Sequence, residues 1–506
     1  MINITTFLDV NSKRLKKDIF YCPEHDARYT SKDFLSIISE IGRILKSKNI
    51  EKGDRVLIYL KNSPEYLFSI FAIWRIGAVV IPTNRILTDD EIQYMIDNSE
   101  CKLIITDSEA KDLVEKLNIN SYIPQFEEID TYRNKPVLNA EYTKWDDLCQ
   151  LQYTSGTTGK PKGAMLTHGN WFTAIHNECD VLQLRQDDVA LIIYPMAHVG
   201  LSWAISALSA GALYIMMKEY DIDNYRNLCE KERVSVLSGM PPIIHTLSTH
   251  PEYAKQFSSV KEIISGGGPL HRKIWKDFQH IYGIPVINAY GLSESIVIGT
   301  GTVIRAEDYY SADRYESVGH PVCFSEVKIV DAENPKIELE KYEQGEIALR
   351  GGAIAKGYWN MPKKTRESFL EDGWFLSGDI GYIDENNRLF ITDRKKEMIV
   401  MSGWKIYPTE VEEILIKHAA VKDIAVFSIS HTHRGEIPVA AVIWSDKVKN
   451  ENKEKLKEDL INYGKEHLAR YKVPRKIFTR DTLPRINGWK LLRKKLNEEY
   501  EEYADK

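Results

Sequence analysis

The sequence predicts an α/β protein in which parallel-type sheets covered by helices are followed by a small β-rich region and then by a smaller α+β unit. Three observations carry this. Short apolar runs alternate with longer amphipathic ones through the first three quarters of the 506 residues, the pattern of strands joined by crossover helices. Glycine-rich segments stand at the ends of several apolar runs, where open α/β sheets bind ligands. From about Val327 the runs shorten and turn residues multiply, as in β hairpins.

In chain order, Arg55 to Leu60 reads as a strand, Pro64 to Ile76 as a helix and Ala78 to Ile81 as the next strand; Asp89 to Asn98 and Lys102 to Thr106 repeat the pair. The alternation returns at Val234 to Leu237, Pro242 to Ser248, Val260 to Ile264 and His271 to Tyr282. Gly345 to Leu349 and Arg388 to Thr392 are the strands expected in the β-rich region. After Arg394 come a helix at Thr409 to His418, strands at Ile424 to Ile429 and Val439 to Trp444, and a helix at Lys453 to His467. The last is rich in Lys and Glu, the pattern of a solvated face.

A chain of 506 residues is too long for one core, so two or more domains are expected. Hydrophobic and charged contents of 43% and 28% are those of a soluble globular protein. A formal net charge of −6 leaves no basic footprint for nucleic acid. Cys22, Cys101, Cys149, Cys179, Cys229 and Cys323 lack paired metal-ligand spacing, so neither a disulfide framework nor a zinc site is indicated and a reducing cytoplasm fits. The N-terminal stretch Met1 to Lys17 has no apolar core of a signal peptide. The longest apolar tract, Tyr66 to Pro82, contains Arg75 and Gly77 and reads as a buried helix and strand, not a membrane span.

Chemistry is concentrated in a few runs. In Tyr153-Thr154-Ser155-Gly156-Thr157-Thr158-Gly159-Lys160-Pro161-Lys162-Gly163 the glycines let backbone N–H groups turn inward as an anion nest, four hydroxyls can donate to phosphate oxygens, and lysines add charge. It is not a Walker A loop, because Thr154 and Pro161 stand where that pattern needs Gly and Ser or Thr. Tyr194-Pro195-Met196-Ala197-His198 follows the apolar run Ala190 to Ile193 as a strand ending in a turn. Ile263-Ile264-Ser265-Gly266-Gly267-Gly268-Pro269-Leu270 is a glycine turn that brings backbone close to a flat or charged ligand.

Asn288-Ala289-Tyr290-Gly291-Leu292-Ser293-Glu294 follows the apolar run Ile284 to Ile287. Its tyrosine face can stack on adenine, and Glu294 is the hard oxygen ligand that Mg²⁺ prefers when it bridges phosphates. In Asp372-Gly373-Trp374-Phe375-Leu376-Ser377-Gly378-Asp379-Ile380-Gly381-Tyr382, continued by Leu389 to Lys396, a carboxylate such as Asp379 can accept a pair of hydroxyls and Arg394 can add a charged donor. Leu483-Pro484-Arg485-Ile486-Asn487-Gly488-Trp489-Lys490 ends on a lysine within a basic stretch.

Together these runs, in this order, resemble the adenylate-forming superfamily, which includes acyl-CoA synthetases, aryl-CoA ligases, firefly luciferase and peptide-synthetase adenylation domains. The resemblance implies a large N-terminal domain, residues 1–395, and a small mobile C-terminal domain, residues 396–506, with the boundary at Lys395–Lys396. It implies ATP, Mg²⁺ and coenzyme A. Thr154, Ser155, Gly156, Thr157, Thr158, Gly159 and Lys160 would hold phosphate, with Thr154 and Glu294 at the metal. Gly267, Gly268, Asn288, Ala289, Tyr290, Gly291 and Ser293 would line the adenine and acyl sites, with serine at 293 where the family usually has threonine. Asp379 and Arg394 would take the ribose, His198 would gate the acyl tunnel, Lys396 would be the hinge, and Gly403 and Trp404 would line the path of CoA. Lys490 would contact the carboxylate and the α-phosphate; it keeps the family spacing of six residues after Pro484, although Trp489 replaces the usual glycine before it.

The implied activity is AMP-forming ligation of a medium- or long-chain fatty acid to CoA. The block at Asp372 to Tyr382 looks like the fatty-acyl-CoA synthetase signature, and Val400 stands where aryl-CoA ligases and luciferases commonly carry lysine. An aryl-acid ligase of the 4-coumarate kind and a catalytically impaired acyl- or ATP-binding homologue are the rival readings, the second supported by Trp489. A monomer or homodimer is expected, without nucleic acid or a transmembrane segment; peripheral membrane contact stays open, since fatty acids partition into bilayers.

Overall fold

A computed structural model describes residues 3–154, 160–197, 199–268, 270–304, 315–448, 451–486 and 490–504, with Ile486 and Lys490 described by their backbone. The chain gathers into two compact units, the larger comprising residues 1–327 and 348–376 and the smaller 328–347 and 377–506.

Strands of the larger unit are β1 (Asp18–Cys22), β2 (Ala27–Thr30), β3 (Arg55–Leu60), β4 (Val79–Asn84), β5 (Leu103–Thr106), β6 (Ser121–Tyr122), β7 (Leu148–Thr154), β8 (Lys162–Thr167), β9 (Val189–Ile192), β10 (Leu213–Met216), β11 (Val236–Ser238), β12 (Glu262–Ser265), β13 (Val286–Leu292), β14 (Val297–Val303) and β15 (His320–Pro321). They form a six-stranded sheet, β6-β5-β3-β4-β7-β8, and a nine-stranded sheet, β15-β14-β13-β12-β11-β9-β10-β1-β2. Both interiors are parallel, as the alternation of apolar runs predicts. Toward one edge of each sheet the pairing changes: β7–β8 and β13–β14 are antiparallel. Thr154 and Lys162, and the run around Tyr290, therefore lie on antiparallel strand pairs. β13 continues past the apolar run to Leu292 because Ala289, Tyr290 and Leu292 pair with Val303, Thr302 and Val297, so pairing and not apolarity sets its length.

The apolar tract folds as the buried helix Pro64–Arg75, capped by the Ser63 hydroxyl accepting from the Tyr66 N–H, and then as β4. Arg75 is 1% exposed and donates to both oxygens of Asp9 at 2.6 and 2.8 Å, the pairing that permits a charge in this position. Among the described residues no helix is long and apolar enough to cross a membrane. The six cysteines are free thiols.

Strands β16 (Ser325–Val330), β17 (Gly345–Gly351), β18 (Phe375–Ile383) and β19 (Leu389–Arg394) form a four-stranded sheet in chain order, the expected β-rich region. The smaller unit adds β20 (Ile399–Met401), β21 (Trp404–Ile406), β22 (Val421–His431) and β23 (Gly435–Trp444) in the order β21-β20-β23-β22, with β24 (Ile477–Thr479) beside β23. Its core joins the long β22–β23 hairpin to helices through Val411, Leu415, Phe427, Val439, Leu460 and Leu496. A short hairpin, β25 (Arg485–Ile486) and β26 (Lys490–Leu491), precedes the helix Arg493–Tyr500.

Candidate active site

Thr154 ends β7 and is the cross-strand partner of Lys162, which opens β8, so the intervening run joins the two strands of an antiparallel hairpin. Thr154 is half-buried. Lys160 is exposed, its Nζ 5.1 Å from the centroid of the Tyr94 ring, and the Tyr94 hydroxyl donates to the Pro161 carbonyl at 3.1 Å. Ser155, Gly156, Thr157, Thr158 and Gly159 lie outside the described residues.

Hydrogen bonds bring the next two motifs to the same end of the sheets. Gln152 of β7 donates through Nε2 to the Ala197 carbonyl at 2.9 Å. The Met196 N–H donates to Asn62 Oδ1 at 2.9 Å, and the Tyr194 hydroxyl donates to the Gly266 carbonyl at 3.4 Å. His198, the expected gate, lies outside the described residues. Gly266, Gly267 and Gly268 follow β12, whose last residue, Ser265, is in register with Asn288 of β13. Segments that are distant in sequence thus meet beyond the carboxyl ends of parallel strands, where such sheets place ligands.

Ser293, Glu294 and Ser295 form one 3₁₀ turn between β13 and β14. Gly291 has a packing reason of its own: a Cβ there would stand 1.6 Å from the Val297 carbonyl oxygen across the hairpin. Ile296 and Val297 have φ of 50° and 54°. β-branched residues rarely adopt this region, and each costs about 1–3 kcal/mol. Ser295 holds the turn by accepting from the Leu292 N–H at 3.0 Å and donating to the Val297 carbonyl at 2.9 Å. Strain is therefore stored in the turn that aims Glu294.

The Glu294 side chain is buried, and its Oε1 accepts a 2.8 Å hydrogen bond from the Tyr358 hydroxyl. Tyr358 reaches it because residues 356–359 run along β8: Lys356 and Trp359 donate their N–H groups to the Met165 and Gly163 carbonyls at 2.9 and 2.8 Å. The Lys162 ammonium lies 4.0 Å from the centroid of the Tyr358 ring, so ammonium, phenol and carboxylate are arranged in sequence. Burial, reinforced by the neighbouring Glu294, holds the Tyr358 phenol well above its ordinary pKa and keeps it a donor. A single buried carboxylate, oriented by a neutral donor, fits Mg²⁺, which takes one or two carboxylates together with substrate phosphates. Lys162 belongs to the run read as phosphate-binding, but Tyr358 was not among the expected site residues; it lies 64 positions from Glu294, and no spacing rule links them.

Tyr358→Phe removes this donor while leaving the ring. A hydrogen bond to a charged group contributes about 1.5–3 kcal/mol, so pyrophosphate exchange at limiting Mg²⁺ should fall by roughly tenfold or more and recover partly as Mg²⁺ is raised. An unchanged Mg²⁺ dependence would reduce Tyr358 to a packing role.

The smaller unit contributes its own group of residues. Asp379 on β18 and Arg394 on β19 are cross-strand partners, with Arg394 Nε 3.2 Å from Asp379 Oδ1. Asp379 is buried and the Arg394 side chain is half-exposed, so only the arginine end of the pair reaches solvent. Beside them Glu346 accepts from the Gly378 N–H at 3.0 Å and from Lys395 Nζ at 2.6 Å, fixing the strand ends. Lys396 is exposed in the turn after β19. Ser402 and Gly403 form the two-residue turn between β20 and β21, with φ of 51° and 85°, the pair of positive values a type I′ hairpin requires. Trp404 is 57% exposed and stacks on Tyr471 at 4.7 Å between ring centroids. Lys490 begins β26 opposite Ile486; Asn487, Gly488 and Trp489 lie outside the described residues.

Comparison with known proteins assigns the chain. The AMP-binding enzyme family matches residues 8–359, and the AMP-binding enzyme C-terminal domain matches residues 410–488. A 4-coumarate–CoA ligase of Oryza sativa subsp. japonica is 31% identical over 89% of this chain and 84% of its own length. A long-chain-fatty-acid–CoA ligase of Bacillus subtilis is 30% identical over 93% of this chain and 90% of its own. Among solved structures, ATP-bound MatB from Rhodopseudomonas palustris superposes with a TM-score of 0.88 at 26% identity, covering 99% of both chains. The o-succinylbenzoate CoA synthetase of Bacillus subtilis in complex with its acyl-adenylate intermediate gives 0.84 at 27% identity over 97% of both.

Proposed function

Since the chain belongs to the AMP-binding enzyme family, we propose that it is an AMP-forming acid–CoA ligase whose acid is a medium- or long-chain fatty acid. A carboxylate oxygen attacks the α-phosphorus of ATP, forming acyl-adenylate and releasing pyrophosphate. The thiol of CoA then attacks the acyl carbon, forming the thioester and releasing AMP and a proton. The observation that carries the reading is that the strand ending at Thr154, the 194–197 turn, the glycine turn and the Glu294 turn come together from the two sheets of the larger unit.

In this reading the hairpin from Thr154 to Lys160 cradles the phosphates, and Asn288, Ala289, Tyr290 and Ser293 face the adenine side. Asp379 and Arg394 take the ribose. Glu294 with Thr154 would hold Mg²⁺, which would supply positive charge at the phosphates. Lys490 stabilises the charge that develops as two anions are brought together. Lys396, which lies within the smaller unit, acts as the hinge if the domains divide at 395/396 as the resemblance implies, and Gly403 and Trp404 line the path of the thiol. Closure over the acyl-adenylate excludes water, which would otherwise hydrolyse it.

The fatty-acid assignment is supported by the block Asp372 to Tyr382 and by Val400, and by the long-chain-fatty-acid–CoA ligase among the relatives. The 4-coumarate–CoA ligase of similar identity supports an aryl acid instead. A panel of saturated C6 to C18 acids, cinnamic and benzoic acids, assayed for AMP release with CoA present, decides between them. The highest kcat/KM should fall on a chain of eight or more carbons; preference for an aromatic acid would overturn the assignment while leaving the ligase.

A further inference from the structure

Arg493 begins the helix that directly follows β26, the strand carrying Lys490. Its side chain is 13% exposed and is spent entirely inside the smaller unit. Nε donates to the Val426 carbonyl of β22 at 3.1 Å, Nη2 donates to Glu412 at 2.7 Å, and Nη1 pairs with Glu397. Glu412 belongs to the helix Pro408–Leu415 and also accepts the Val426 N–H at 2.6 Å. Glu397 lies in the turn after β19, its N–H donating to the Arg394 carbonyl at 2.9 Å. One half-buried guanidinium therefore ties the base of the β25–β26 hairpin to the turn that contains Lys396.

The other strand of this hairpin is anchored by Arg485, which donates to both oxygens of Asp423 at 2.9 and 3.1 Å with about a third of each side chain exposed. Exposed ion pairs contribute little, so the better-shielded Arg493 fork is the anchor that sets where the hairpin stands. Burial pushes the Glu412 carboxyl up to about 7 even with Arg493 beside it. The cation at 493 is thus needed to keep its partner charged, and lysine is the informative replacement: it keeps the charge and loses the fork.

We propose that Arg493 is a positioning residue for adenylation, holding the Lys490 hairpin in register with the turn around Lys396. This rests on the reading of Lys490 as the adenylating lysine, and the experiment separates the two. Arg493→Lys, Glu397→Gln and Lys490→Ala are compared with the parent in ATP–pyrophosphate exchange, in thioester formation from supplied acyl-adenylate of the best panel acid, and in thermal unfolding. A positioning role predicts that Arg493→Lys lowers exchange by roughly tenfold or more in kcat with KM for ATP unchanged, while thioester formation stays within about twofold. If Arg493→Lys fails to fold, Glu397→Gln, which keeps the Glu412 pair, must show the same split. Normal exchange in the folded variants, or equal loss of both half-reactions, overturns the proposal. Normal exchange in Lys490→Ala overturns the Lys490 reading and, with it, what Arg493 positions.

Discussion

Replacing Lys490 with alanine is expected to lower acyl-adenylate formation by roughly a hundredfold or more, the effect of losing one charged group aimed at developing negative charge. Conversion of supplied acyl-adenylate and CoA to thioester should be retained, because in the proposed mechanism the lysine serves the α-phosphate only while pyrophosphate leaves. The hairpin geometry makes this a sharp test. Lys490 lies opposite Ile486 in the strand pairing, with Trp489 immediately before it where the family usually has glycine. If Lys490→Ala adenylates normally and substitution of Lys494 or Lys495 abolishes the step, the register of the catalytic lysine is different.

Glu294→Gln is the second substitution with a large expected effect. A neutral amide is a poorer ligand for a phosphate-bridging Mg²⁺ than a carboxylate. The amide is nearly isosteric and still offers an oxygen to the Tyr358 hydroxyl, so the strained turn at Ile296 and Val297 should stay intact. Adenylation should drop by about a hundredfold, with ATP binding measured by calorimetry losing its Mg²⁺ dependence. Near-normal pyrophosphate exchange at limiting Mg²⁺ would remove Glu294 from the site.

Much of the fold was legible in the sequence because it is written locally. Arg55–Leu60 and Lys453–His467 fold as the strand and helix that their runs predict, and the buried helix in the apolar tract follows from hydrophobicity interrupted by Arg75. What pairing decides was not legible: β13 outlasts its apolar run only because β14 lies beside it. Chain crossings between the two units have no signature in composition, since they depend on which segments pack together.

The site divides in the same way. Runs such as Thr154 to Lys160 and Asn288 to Glu294 carry their chemistry in contiguous residues and can be read one by one. Tyr358 against Glu294 and Arg493 against Glu397 are long-range contacts, and no periodicity reports them. Glycines were the ambiguous case. Gly291 and Gly403 were expected beside ligands, and the structure gives both a backbone reason, a close hairpin approach at one and a positive φ at the other.

The products made from ATP test the central claim most directly. With ATP, Mg²⁺, CoA and the preferred acid, chromatography of the nucleotides and mass spectrometry of the thioester should find AMP, pyrophosphate and acyl-CoA in equal amounts, and acid alone should support ATP–pyrophosphate exchange before CoA is added. Release of ADP and phosphate, or AMP formed at the same rate without any acid, would contradict an AMP-forming acid–CoA ligase.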